Sequence, residues 1–211
     1  MVDFQRRSNR TRVRLTAVGL PAVAFLVVLA VQSRVEVSYL TRDPAETMET
    51  HSYIGLVSNL GILGWCAAAA VSIFAASVLR RREGGRDAAR FLLVSGLLSL
   101  GFLFDDLLML HERFAPNRLG IPQPVTAGAY AAAILAYLVY FRHVIRTTDF
   151  TLLGCALGCM ACSVILDVVR DISHAFDAHI LEDGAKFLGI VLWAAYLIFT
   201  AGDTEERLPR L

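Results

Sequence analysis

The stretch Tyr53-Ile-Gly-Leu-Val-Ser-Asn-Leu-Gly-Ile-Leu-Gly-Trp-Cys-Ala-Ala-Ala-Ala-Val-Ser-Ile-Phe-Ala-Ala-Ser-Val-Leu79 contains no Asp, Glu, Lys or Arg. A helix needs about 20 apolar residues to cross a bilayer, and a run with no polar face has nothing to show to water. Five further blocks resemble it. The expected spans are 15–32, 53–79, 91–110, 125–140, 150–169 and 185–201, giving an all-α transmembrane bundle of about six helices in one domain. The whole chain agrees: 56% of its 211 residues are hydrophobic and 18% charged, with a mean hydropathy of +0.56. Soluble domains carry nearer a quarter charged residues. The first block is long for a signal peptide, and Gln32-Ser33-Arg34 offers no small-x-small cleavage site, so it reads as a retained helix.

The arginines set direction. Fourteen of the twenty basic residues fall in the N-terminal tail, the loops after spans two and four, and the C-terminal tail. Cytoplasmic segments carry such an excess, which places both termini on the cytoplasmic side of a bacterial inner membrane. A net charge of +1 gives no electrostatic case for nucleic acid. The four cysteines, Cys66, Cys155, Cys159 and Cys162, lie inside apolar blocks, which argues against a disulfide framework. The last three share a helical stripe, and Gly154 and Gly158 on the same helix form a small-xxx-small pattern that predicts close helix packing.

The acids gather at the opposite face. Twelve of nineteen lie there, with His51, His111, His174 and His179 among the five histidines. Solvated loops accept such residues freely, but Asp105 and Asp106 sit some five residues before the apolar end of span three, roughly 7 Å inside at 1.5 Å per residue. A carboxylate at the bilayer centre costs about 2.5–3.5 kcal/mol, less near the edge, and a bound cation, a metal or protonation would offset it. Asp105 and Glu112 share a helical face, whereas His111 lies about 120° round and would join them only from a bent helix end. If span five continues as a helix, Asp167, Asp171 and His174 project from one stripe. Carboxylate with imidazole suits Zn, Mn or Fe. Glu182 and Asp183 open span six, as further ligands, as charges favouring the helix dipole, or as partners for Lys186 along the same helix. His51 and Ser58 share a face, and Asn59 lies near the depth of Asp105.

The string Phe104-Asp105-Asp106-Leu107-Leu108-Met109-Leu110-His111-Glu112 resembles a signature of small bacterial multi-span proteins of unassigned function, in which an acidic pair opening the last span often follows, as Glu182-Asp183 does here. Ser58-Asn59 and Asp105 are similar to positions of the alkaline ceramidase superfamily, a resemblance that implies an intramembrane zinc hydrolase. The chain departs from that superfamily's seven helices and from its His-x3-His on the last helix: the last span here has no histidine. No Walker loop, His-Glu-x-x-His or Gly-x-Ser-x-Gly is present.

The resulting expectation is a metal-dependent hydrolase of a membrane lipid or another amphiphile. Asp105, Asp106, Asp167, Asp171, His174, Glu182 and Asp183 are the candidate ligands, and His111 or Glu112 the general base on a metal-bound water. An ion or proton pathway and a non-catalytic subunit of a homo-oligomer or larger complex are the alternatives.

Overall fold

The computed structural model describes residues 16, 20, 21, 23–42, 44–173 and 179–207; the side chains of 170–173 and 179 are outside that description. Every regular element among them is helical. The chain forms two compact units, Met1–Ile54 and Gly55–Leu211.

The first unit holds helical backbone over 23–31 (α1), then α2 (Val37–Thr41) and α3 (Pro44–Thr47). Gln32 ends α1 by clamping the turn that follows: its side-chain oxygen accepts the backbone N–H groups of Arg34 and Val35, both at 3.0 Å.

The second unit holds α4 (Leu56–Leu79), α5 (Arg86–Leu108), a π-helix (Leu110–Leu119), α6 (Gln123–Tyr140), α7 (Arg142–Ile145), α8 (Phe150–Ser173) and α9 (His179–Arg207). Among the described residues four helices are long and apolar enough to cross a membrane: Leu56–Leu79, Arg86–Leu108, Phe150–Val169 and Ile180–Arg207. Six were expected; the first and the fourth of them do not meet that length and apolarity among the described residues. The fourth expected span, α6, is 18 residues long; it opens on Gln123-Pro124 and carries Tyr130, Tyr137 and Tyr140, which lower its apolar content. Most of the first expected span, 15–32, lies outside the described residues or in short helical runs.

Within this unit α4 packs against α5 and α9, and α8 packs against α9. Two glycines set the closest approaches between helices. A Cβ at Gly96 would lie 2.7 Å from Ile73 and 3.2 Å from the Ala69 carbonyl; one at Gly189 would lie 2.7 Å from Met160 and 3.0 Å from the Ala156 carbonyl. Between helices surrounded by lipid, such backbone proximity supplies van der Waals contact that a hydrophobic effect does not. Gly154 and Gly158 meet nothing within 4 Å, so the close packing expected from them is not formed by those residues. The buried side of α8 is Leu153, Ala156 and Ser163, and Cys155 and Cys162 are exposed.

The core is aromatic. Phe91, Trp193 and Tyr196 are fully buried, and Phe91 packs on Tyr137, Phe141 and Tyr196. Large rings fill the space that α6 leaves beside α5 and α9. Tyr137 meets Phe91 and Ser95 near the start of α5, and Tyr130 meets Phe102 and Asp105 near its end. The two helices are therefore antiparallel and in register along most of their length. Arg82 at one end pairs with Glu205 at 2.8 Å, joining the turn after α4 to the end of α9.

Candidate functional site

The other end of the second unit is organised by the adjacent acids Asp105 and Asp106. Neighbouring residues on a helix point about 100° apart, so one pair of carboxylates can address two sets of partners. Asp105 faces the π-helix and α6. Its Oδ1 accepts the His111 backbone N–H at 3.0 Å and the Tyr130 hydroxyl at 2.7 Å, while its Oδ2 contacts His111 Nδ1. Asp106 faces α4 and α9: Trp65 Nε1–H donates to Oδ2 at 2.9 Å, and Lys186 Nζ donates to Oδ1 at 2.8 Å.

Local backbone makes the first set possible. α5 stops at Leu108 because Met109 takes a left-handed conformation, φ 49°, which L-residues other than Gly, Asn and Asp seldom adopt. The chain then winds into a π-helix, a widened turn often found at functional sites. That reversal brings His111 back over the end of α5, the bent end that a straight helix would not supply.

Asp105 is 4% exposed, and its two oxygens are engaged by two donors, the His111 backbone N–H and the Tyr130 hydroxyl, and by the His111 ring nitrogen. The His111 side chain is 21% exposed, and its Nε2 lies 3.6 Å from Glu112, whose side chain is 50% exposed. The hydrogen bond to Asp105 raises the His111 pKa; burial works against that rise, while the charges of Asp105 and Glu112 add to it and Lys186 opposes it. A carboxylate at Nδ1 fixes ring orientation and leaves Nε2 as the nitrogen open to chemistry, the arrangement used wherever an imidazole moves protons.

Lys186 forms an ion pair across to Asp106 on α5, a partner outside its own helix that the sequence reading did not name. Both Asp106 oxygens are thereby taken up by protein donors.

Asp167 is half-buried on α8, and Glu182 and Asp183 lie in the first turns of α9. α8 is helical through Ser173, so Asp167 and Asp171 are one turn apart on a continuous helix; the Asp171 side chain and His174 lie outside the described residues. Among the described residues no group of three or more His, Cys, Asp or Glu side chains is placed to hold a metal ion.

Trp65 and Tyr130 join the site without having been expected there. The signal in the sequence was their polar handles: an indole N–H or phenol O–H inside an apolar span needs a partner when buried. A second tier follows the same rule deeper in the bundle, where Trp193 Nε1–H donates to Ser99 at 2.9 Å and Ser95 shares a hydrogen bond with Tyr137 at 2.7 Å.

Residues 14–200 match the family described as a domain of unknown function, DUF8692. The chain belongs to the DUF8692 family. The DUF8692 segment includes Trp65, Asp105, Asp106, His111, Tyr130 and Lys186, so the whole network is internal to it. No curated protein and no solved structure matches the chain.

Proposed function

We propose that this protein is a six-span inner-membrane protein with both termini in the cytoplasm, and that Asp105 and His111 form a general acid–base pair at its periplasmic boundary. The pair acts on a lipid or another amphiphile presented at the outer leaflet. The sixth-span reading is supported by α6, which lies in antiparallel register with α5 and so covers a similar depth, and by the apolar block 15–32. The arginine distribution supports the orientation.

The observation that carries the chemistry is the His111 ring, held at Nδ1 by a buried carboxylate with Nε2 facing Glu112 and the exterior. A positioned imidazole of this kind contributes typically 10²–10⁴-fold to a proton-transfer step. The test is incubation of the purified protein with inner-membrane lipid extract, followed by mass spectrometry of the lipids. Conversion of a lipid class by the wild type, abolished in His111→Ala, is expected. An unchanged lipid profile with the wild type would sink the reading.

A divalent metal, Zn, Mn or Fe, belongs to a second reading, in which Asp167, Asp171 and His174 are the ligands and Glu182 or Asp183 assists. It is supported by the uninterrupted α8 backbone through Ser173, which keeps the first two ligands one turn apart. Elemental analysis should then find about one metal per chain, and Asp167→Ala should lose it. A self-associated state or a larger membrane complex is the partner reading, supported by the open small-residue side of α8.

A further inference from the structure

At the arginine-rich end of the bundle an open cavity of about 180 Å³ lies among α5, α7 with the turn after it, and α9. Its lining includes Thr147, Thr148, Thr204, Asp203 and Arg207. From these residues we infer that the cavity binds a zwitterion carrying both a phosphate and an ammonium group, the chemistry shared by a phosphatidylethanolamine headgroup and free phosphoethanolamine.

The threonine hydroxyls of this lining are spent as donors. Thr147 donates to the Val144 carbonyl at 2.8 Å, Thr148 to the Ile145 carbonyl at 2.7 Å and Thr204 to the Thr200 carbonyl at 2.7 Å. Each of these hydroxyl protons is directed into backbone; Thr148 Oγ1 also shares a hydrogen bond with the Tyr196 hydroxyl at 2.8 Å, so the lone pairs left for a ligand that donates are chiefly those of Thr147 and Thr204. An ammonium is such a donor. Asp203 adds a full negative charge to the same wall.

Arg207 supplies the opposite charge. It stands one helical turn from Asp203, the spacing at which such residues usually pair, yet no ion pair joins the two. One of its N–H groups donates to the Thr147 carbonyl at 3.3 Å, which ties the guanidinium to the cavity rim. The rest of the fork is suited to phosphate. A bare phosphate would meet Asp203 and a bare cation would meet Arg207. A ligand bearing both charges satisfies each, and Ala88 and Val144 on the same lining give it an apolar margin.

The experiment measures binding to the full chain in detergent by native mass spectrometry. The probes are short-chain phosphatidylethanolamine, phosphatidylglycerol with the same chains, and free phosphoethanolamine. Wild-type protein is expected to bind phosphatidylethanolamine about tenfold more tightly than phosphatidylglycerol, the size of one charge-assisted contact. Asp203→Asn should remove that preference, weakening phosphatidylethanolamine and strengthening phosphatidylglycerol, because the carboxylate that holds the ammonium and repels a lone phosphate is gone, and Arg207→Gln should weaken both lipids. Free phosphoethanolamine binding as tightly as the lipid assigns the same site to a soluble ligand; binding of the lipid alone assigns it to the headgroup. Equal affinity of the wild type for the two lipids overturns the inference, as does affinity that neither substitution alters. Both side chains are exposed, so unchanged thermal unfolding is the control for folding.

Discussion

Asp105 is the residue on which the site turns, because three elements meet on its two oxygens. Asp105→Asn keeps the shape and removes the charge. We expect it to lower the His111 pKa, observable as a shift of the histidine ring resonances in a labelled sample; an unmoved titration would show that Asp105 does not control the ring. The sign for stability follows. His111 has a raised pKa in the folded protein, so its contribution is fully present below its unfolded value of about 6.5 and is lost as pH rises through the folded value. Thermal unfolding of the wild type should therefore lose stability across that window, and His111→Gln should flatten the loss. Lys186 permits a separate measurement. Lys186→Met leaves Asp106, with a side chain only 10% exposed, to Trp65 alone, and should cost about 1–3 kcal/mol. Asp106→Asn in the same chain should restore part of it, and strictly additive effects in the double-mutant cycle would refute the pairing.

At the scale of elements, the glycines separate what composition suggests from what packing uses. The pattern Gly154-xxx-Gly158 is the more conspicuous in sequence, but its glycines meet open space, whereas Gly189 receives the Met160 side chain and the Ala156 carbonyl. Gly189→Ala should therefore destabilise the α8–α9 contact, by about 1–3 kcal/mol for an overpacked site. Gly158→Ala should be neutral or slightly stabilising, since helix propensity favours Ala by about 1 kcal/mol. Comparison of the two midpoints in a detergent unfolding series decides the point. The α5 end carries the same lesson: Phe104–Glu112 reads as one helix by composition, and the left-handed Met109 divides it.

For the whole molecule, the issue is whether α6 crosses with its neighbours. Asn117→Cys, in the π-helix, and Thr147→Cys, after α7, flank α6. In a chain whose native cysteines are replaced, the first is expected to react with an impermeant maleimide on intact spheroplasts and the second only after permeabilisation. Labelling of both from one side would mean that α6 does not cross.

The sequence by itself determined an apolar helical chain and the clustering of most arginines and most acids in alternate connecting segments, because span length and charge placement are properties of composition along the chain. It also marked Asp105, Asp106, His111 and Glu112 as a unit. Tertiary structure decided the partners. Trp65 and Lys186 lie 41 and 80 residues from Asp106, and Tyr130 lies 25 from Asp105, separations at which no local periodicity reports a contact. The direction of each carboxylate followed from the left-handed turn at Met109 and from which helices flank α5. These are outcomes of long-range packing, and they distributed two adjacent acids to two different networks.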